Sequence, residues 1–142
     1  MTGAARKALL RAFLEEVWSE GRADRVPQYV AETYSIFNDQ GDPWDGQTLD
    51  LAGFVNRLTT SRAAAPDQRF TPVHMIAEDS QVAVAWHWSG THLGDLPGLP
   101  ASGRPITMTG LTVYMFDGAL LSGHWQVADR LGVYRQLTAD QG

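Results

Sequence analysis

The chain has 142 residues, a formal net charge of −5 and no cysteine. Its length fits one domain, and its 44% hydrophobic content is enough for a buried core. The lack of cysteine excludes disulfides, thiolate metal sites and a cysteine nucleophile, and the acidic balance argues against nucleic acid as a partner. Because no apolar run is long enough for a secretory signal or a membrane span, we expect one soluble, cytoplasmic domain over residues 1–142 that does not bind membranes.

Three helices are predicted in the first half of the chain. Apolar residues recur at helical spacing from Leu10 to Trp18, and Gly21 suits the end of this helix because it has no Cβ. A short second helix is predicted from about Asp24 to Val30, with Asp24 as its cap. The third has apolar residues on one face between Leu51 and Leu58, and Thr48 is its candidate cap.

After Pro66 the hydrophobic period becomes that of strands, which we predict to form two hairpins. The second hairpin turns at Asp117-Gly118, a strong hairpin signal. Between the hairpins, the loop His92–Arg104 holds three glycines and two prolines and is predicted to be irregular. Helices followed by antiparallel strands indicate an α+β fold, in which a mostly antiparallel sheet curls around the helices and leaves a pocket. The predicted strands are Arg69–Ala77, Gln81–Thr91, Pro105–Phe116 and Ala119–Ala128.

Asp129 is the first candidate for chemistry. Strand side chains alternate, so Trp125, Val127 and Asp129 share one face. If that face is the apolar one, burial raises the pKa of the Asp129 carboxyl and makes it a usable general acid/base. The alternative is that Asp129 ends the strand and pairs with Arg130 or Arg135.

Histidines supply the other candidates. No two of the four have metal-ligand spacing, so no metal site is predicted. His87 and His92 can each be catalytic, although a lone histidine is more often a hydrogen-bonded structural residue. In a regular strand His124 faces away from Asp129. The polar stretch Asn38–Asp42 superficially suggests a calcium loop, but turn chemistry explains it better.

Several segments of the chain resemble the SnoaL-like polyketide cyclases. The resemblance implies a nuclear-transport-factor-like cone, with three N-terminal helices on the curved sheet, and a homodimer paired through the sheets. The segments that carry it are Phe13–Gly21, Val82–Trp86, Gly90–Gly94, Gly98–Arg104, Asp117-Gly118, Trp125–Asp129 and Leu131–Leu137.

The resemblance also implies roles for particular residues. In the characterised cyclases, the aspartate that matches Asp129 is the acid/base of a cofactor-free intramolecular aldol closure, with neither metal nor Schiff base. Carried over, Asp129 removes a proton from an activated methylene, while His87, His92 or Asn38 binds the enolate oxygen. The expected walls of an apolar ligand pocket are Trp125, Trp86, Tyr34, Phe54 and Trp18.

Fold alone does not fix function, because relatives with this fold include isomerases, dehydratases, epoxide hydrolases and binding modules. We expect a cofactor-free lyase or isomerase that acts on a polycyclic or aromatic carbonyl compound. The alternatives are a dehydratase or epoxide hydrolase, and a non-catalytic small-molecule-binding module. Epoxide opening in this fold usually needs an Asp–Arg–Asp arrangement, which Asp129 and Arg104 do not clearly supply. The loop between Gly94 and Gly103 is a candidate lid.

Overall fold

A computed structural model describes residues 1–139, and the last three residues of the predicted domain lie outside this part. Helices pack on a curved, mixed sheet of six strands, which confirms the α+β expectation. The helices are α1 (Gly3–Phe13), α2 (Val26–Tyr29), α3 (Leu51–Arg62) and α4 (Arg130–Thr138). The strands are β1 (Val30–Asp39), β2 (Thr48–Leu49), β3 (Arg69–Glu78), β4 (Gln81–Thr91), β5 (Pro105–Asp117) and β6 (Leu120–Ala128).

The strand order is β2-β1-β6-β5-β4-β3, with β1 and β6 parallel and the other neighbours antiparallel. Both predicted hairpins are confirmed. Asp79 and Gly118 occupy their turns with φ of 51° and 59°. The parallel β1–β6 pair places the end of β1 beside the end of β6, although the two segments are far apart in the sequence.

The helix ends confirm one prediction and correct two. α1 continues as a π-helical turn over Leu14–Ser19, and Gly21 follows with φ of 73°. The predicted cap Asp24 is wrong, because its carboxylate accepts from the Arg22 side chain instead. The predicted cap Thr48 is also wrong: it lies in β2, and the backbone N–H of Gly53 donates to Asp50 instead.

The hydrophobic core lies between the helices and the concave face of the sheet. Large side chains from α1, the π-helical turn and α3 meet inward-facing side chains of the strands, as the helical and strand periods predict. Within the described residues, no helix is long and apolar enough to cross a membrane. Core residues from these elements include Leu10, Phe13, Leu14, Val17, Phe54, Leu58, Val82, Val84 and Leu121.

Candidate active site

A cavity of about 600 Å³ lies between the helices and the concave face of the sheet. Its two ends differ in chemistry, as expected of a site that binds an apolar body and orients it through a few polar groups. The apolar end is lined by Trp18, Phe70, Trp86, Trp88, Leu96, Leu99, Ile106 and Met108. The polar end is lined by Tyr34, Asp42, Arg57, Tyr114, His124, Gln126 and Arg130.

Asp39, the last residue of β1, holds side chains of the polar end in place through its carboxylate. Its side chain is fully buried and accepts hydrogen bonds from four residues. The bond from His124 Nε2 is 2.8 Å, and the guanidinium groups of Arg130 and Arg57 donate at 2.8 and 3.1 Å. Gln126 Nε2 lies 3.2 Å from both carboxylate oxygens. A buried carboxylate needs such partners because burial removes its hydration.

Arg57 bridges two carboxylates. It projects from α3 and reaches Asp39 and Asp42 at 3.1 Å each, while its guanidinium lies 5.2 Å from the centre of the Trp18 ring. Arg130, from the first position of α4, bonds Asp39 as well. Two arginines and two aspartates therefore balance in charge, which reduces the cost of burying them.

His124 stands between an anion and a phenol. Its Nε2 faces Asp39, and its Nδ1 lies 2.6 Å from the hydroxyl of Tyr34. Because a carboxylate only accepts, Nε2 carries the proton of the neutral imidazole and Nδ1 accepts from the Tyr34 O–H. The result is a series Tyr34–His124–Asp39 in which each side chain fixes the tautomer or orientation of the next.

The pKa values of this series follow from burial and charge. Burial alone would raise the pKa of Asp39, but the hydrogen bond from His124 and the charges of Arg130 and Arg57 outweigh burial and lower it. Burial lowers the pKa of His124, against the opposing hydrogen bond to Asp39. Burial also raises the pKa of Tyr34 well above its ordinary value. At neutral pH the series is therefore a phenol, a neutral imidazole and a carboxylate.

A second chain of hydrogen bonds joins the aromatic wall to the same carboxylate. Trp86 Nε1 donates to Thr112 Oγ1 at 2.8 Å, and Thr112 donates to Gln126 Oε1 at 2.6 Å. Since Oε1 accepts, the amide nitrogen of Gln126 points at Asp39. The indole of Trp86 is thus held in one orientation at the boundary between the two ends of the cavity.

Asp129 does not face the cavity, so the expected placement of its carboxyl in an apolar pocket is wrong. It follows β6 as an exposed residue and caps α4, accepting from the backbone N–H of Gly132 at 2.9 Å. Trp125 and Val127, which share its predicted face, are 43% and 48% exposed on the outer face of the sheet. The inward residues of this strand are His124 and Gln126.

The remaining polar candidates also lie outside the cavity lining. His87 is exposed on β4. His92 is buried at the start of the 92–104 loop, where its Nδ1 bonds the Ser102 hydroxyl at 2.8 Å. Asn38 donates to the backbone carbonyl of Gln126 and so helps to hold β1 against β6. None of the three is placed to bind an enolate oxygen in the cavity.

Some of the aromatic candidates line the cavity and others do not. Tyr34, Trp18 and Trp86 line the cavity, as expected. Phe54 is not part of the lining; it packs behind Tyr34, with ring centroids 5.0 Å apart at 82°. Trp125 lies on the outer face and is not part of the cavity lining.

The sequence reasoning missed the polar end almost entirely. Turn chemistry explains the stretch that contains Asp39 and Asp42, and a regular β6 turns His124 away from Asp129, so neither pattern indicates this site. The available signal was the alternation of β6 itself, which places His124 and Gln126 together on one face. Within residues 1–139, no group of three or more His, Asp or Glu side chains is arranged to hold a metal ion.

Comparison with known proteins agrees with the fold and the sequence motifs. The family model of the SnoaL-like polyketide cyclases matches residues 8–137. The chain belongs to this family. No curated protein gives a significant match to this SnoaL-like protein.

Solved structures of the same fold cover almost the whole SnoaL-like chain. A protein from Acidithiobacillus ferrooxidans, provisionally described as a polyketide cyclase, is 47% identical over 96% of this chain and 97% of its own, with a TM-score of 0.91. A SnoaL-like polyketide cyclase from Agrobacterium tumefaciens is 22% identical over 96% and 99% of the two chains, with a TM-score of 0.75. AclR from Streptomyces galilaeus, provisionally described as a hydroxylase, is 18% identical over 99% and 85%, with a TM-score of 0.80. The last two show the fold alone.

Proposed function

We propose that this SnoaL-like protein is a cofactor-free acid/base enzyme that acts on a polycyclic or aromatic carbonyl compound. The observation that supports this most is His124, a neutral imidazole at the cavity wall whose nitrogens bond Asp39 and Tyr34. A histidine oriented by a buried carboxylate is a common general base. The aromatic lining of the other end suits a flat ligand.

Tyr34 is the group through which this base reaches the substrate. Both imidazole nitrogens are occupied, so the Tyr34 oxygen takes the proton of an activated C–H while its own proton passes to His124 Nδ1. The C–H electron pair stays on the substrate as an enolate, and the imidazolium is stabilised by Asp39. In an aldol closure the enolate carbon then bonds to a second carbonyl carbon of the same molecule. The new alkoxide takes a proton from Tyr34, and Tyr34 regains its own proton from His124.

The first test is deuterium exchange at the activated CH₂ of 2-tetralone, a bicyclic aromatic ketone, in D₂O. We expect the wild type to accelerate exchange and His124→Gln to lose at least about 100-fold of that acceleration, with ketone binding retained. The matched control is His87→Gln, which changes an exposed histidine outside the cavity. Asp129→Asn tests the role implied by the family resemblance.

Three results would contradict the assignment. Equal exchange by wild type and His124→Gln would exclude the histidine as the base. A large loss in Asp129→Asn alone would return the acid/base role to Asp129. Binding of the ketone by every variant, with exchange accelerated by none, would favour a non-catalytic binding module.

Epoxide opening is the second candidate, because Arg57 lies between Asp39 and Asp42 in an Asp–Arg–Asp arrangement. Asp42 lines the cavity, whereas Asp39 is fully buried and has four donors. Styrene oxide is a suitable probe. If the wild type forms the diol and Asp42→Asn does not, while ketone exchange is absent from both, epoxide hydrolysis replaces the first proposal.

A further inference from the structure

Tyr114 lies beside His124, the proposed base, and the mechanism described above gives it no role. It projects from β5 directly opposite His124 in the antiparallel register of β5 and β6. Cross-strand partners point to the same face of a sheet, so both side chains point into the concave side. Their ring centroids are 6.0 Å apart, and both residues line the cavity.

The hydroxyl of Tyr114 meets open space in the part of the chain that the structure describes. The residue is only 6% exposed, yet no group within residues 1–139 forms a hydrogen bond with its oxygen. In the same part of the chain, two fully buried side-chain polar atoms lack a hydrogen-bond partner: Arg6 Nε and His92 Nε2. The Tyr114 oxygen is therefore accessible to solvent, and it faces the cavity that this residue lines.

A hydroxyl that opens on a cavity and has no partner within residues 1–139 can bond a ligand there in place of water. Tyr34, the other phenol at this end, bonds His124. Burial raises the pKa of Tyr114 well above its ordinary value, so the group stays neutral and keeps its proton. It is an O–H donor in need of an acceptor, not a base.

We propose that the Tyr114 hydroxyl binds the carbonyl oxygen of the substrate and stabilises the enolate that forms when the adjacent C–H is deprotonated. This inference rests on the proposed function and deepens it. In this cross-strand pair, His124 is the proposed base and Tyr114 binds the oxygen on which negative charge develops. A donor already in place strengthens its bond as charge accumulates, which is the usual form of transition-state stabilisation.

The arrangement also defines the substrate class more narrowly. A ligand that satisfies both groups carries a hydrogen-bond-accepting oxygen on the carbon next to the one that loses its proton. That is the pattern of an enolisable ketone or ester. A hydrocarbon of the same shape fills the aromatic end but leaves the Tyr114 hydroxyl unpaired.

Binding of a matched ligand pair tests the inference without any turnover. The dissociation constants of 2-tetralone and of tetralin, its hydrocarbon analogue, are measured for wild type and for Tyr114→Phe by calorimetry. We expect the variant to bind the ketone about fivefold more weakly and tetralin as well as wild type does. Tyr29→Phe, which removes a phenol oxygen outside the cavity lining, is the matched control and should bind both ligands as wild type does. Equal weakening for ketone and hydrocarbon, or none for either, would overturn the inference.

A spectroscopic signature separates a hydrogen bond from a change in packing. The carbonyl stretching frequency of bound 2-tetralone is expected to be lower in wild type than in Tyr114→Phe, because a donor weakens the C=O bond. Identical frequencies would mean that another donor, or water, holds the oxygen. This measurement needs only bound ligand, and thermal unfolding of the variant checks that the fold is intact.

The exchange reaction then links the inference to catalysis. Tyr114→Phe is expected to slow deuterium exchange of 2-tetralone by about 100-fold, the typical effect of removing one oxyanion donor. If the ligand pair and the frequency behave as expected but no variant or wild type catalyses exchange, the carbonyl site stands and the acid/base proposal fails. If His124→Gln abolishes exchange and Tyr114→Phe alters neither binding nor rate, the inference fails and the proposed function stands.

Discussion

At the scale of single residues, Asp39 holds the polar end of the cavity together. Its carboxylate accepts from side chains of α3, β6 and α4, and so joins three elements that are remote in the sequence. Each donor is oriented by this one acceptor, which explains why the imidazole and both guanidinium groups have fixed positions. The proposed acid/base series depends on this order, because a misplaced imidazole loses most of its effect.

Replacing Arg57 tests how much the stability of the protein depends on the hydrogen-bond donors of the buried Asp39 carboxylate. Arg57→Met keeps the length and apolar contacts of the side chain but leaves Asp39 and Asp42 without a shared, buried cation. We expect the free energy of unfolding, measured by urea denaturation, to fall by about 3 kcal/mol.

The control for Arg57 is Arg69→Met, which breaks an ion pair with Glu15 whose side chains are 56% and 47% exposed. Solvent screening makes such pairs weak, so we expect a change below about 1 kcal/mol. Similar losses in the two variants would mean that burial does not distinguish the two ion pairs.

The pH dependence of stability tests the neutral state of His124. Its pKa in the folded protein is lowered, so below the unfolded value of about 6.5 the unfolded chain takes up a proton that the folded chain does not. The free energy of unfolding is then expected to fall as the pH drops below about 6.5. The titratable or charged groups around the imidazole are Tyr34, Asp39, Asp42, Arg57, Tyr114 and Arg130.

Urea denaturation between pH 8 and pH 5 measures this slope. His124→Gln should flatten it, whereas His87→Gln, at an exposed position, should not. The lowered pKa of Asp39 acts in the same direction but only below about 3.9, where its unfolded carboxyl is protonated, so the two windows are separate. An unchanged slope in His124→Gln would mean that folding does not shift the pKa of this imidazole.

At the scale of elements, the strands β4 and β5 form the aromatic wall by a close approach. Gly110 of β5 is paired with Trp86 of β4, and a Cβ at Gly110 would overlap the Trp86 indole. The ring therefore lies across the neighbouring strand, where only a glycine leaves room for it. This placement also brings Trp86 Nε1 to Thr112.

Gly110→Ala should displace that ring. We expect a loss of about 1–3 kcal/mol in the free energy of unfolding, together with weaker binding of tetralin, because the indole is pushed off its hydrogen bond. The double variant Gly110→Ala/Trp86→Leu removes the overlapping ring and should show less destabilisation than the sum of the two single changes. Strict additivity would mean that the strand backbone absorbs the added methyl group instead.

The elements also show what could be predicted from the sequence. Two features depend on local chemistry and can be predicted from their own residues. They are the hairpin at Asp117-Gly118 and the end of the first helix at Gly21. The parallel pairing of β1 with β6 depends on contacts between distant segments and leaves no local trace. It is this pairing that brings Asp39 to His124, so the site could not be assembled before the topology was known.

The face of β6 was misassigned for a different reason. Trp125 and Val127 are apolar and predicted a buried face, whereas the buried face carries His124 and Gln126. Hydrophobic alternation identifies a face that avoids water but not what covers it. Asp129 was assigned to the cavity by the same reasoning and by the family resemblance, and its backbone position after the strand makes it a helix cap instead.

At the scale of the whole molecule, the outer face of the sheet carries an apolar patch. Leu111 is paired with Val127, Trp125 lies two residues before Val127, and the Phe37 ring covers Gly123 on the same strand face. These four apolar side chains are between 43% and 61% exposed. A contiguous patch of this kind is typical of an association surface, in keeping with the homodimer that the family resemblance implies.

We expect a dimer in sedimentation velocity and a monomer for Trp125→Lys, which places a charge in the middle of the patch. The control is Leu93→Lys, at a residue of the 92–104 loop that is 55% exposed. A monomeric wild type would exclude the dimer, and dissociation by Leu93→Lys instead would place the interface at the loop.

The division of the cavity into two ends has a consequence for how this protein can diversify. Most side chains of the polar end come from β1, β5, β6, α3 and α4, whereas most of the apolar wall comes from β3, β4, the 92–104 loop and the first half of β5. Trp86 and Trp18 contact the groups of the polar end, but substitutions elsewhere in the wall leave the hydrogen-bond partners of Asp39 untouched. Such a molecule can change the outline of the compound it accepts while the proposed acid/base chemistry is inherited intact, so substrate range and reaction type can evolve as separate traits.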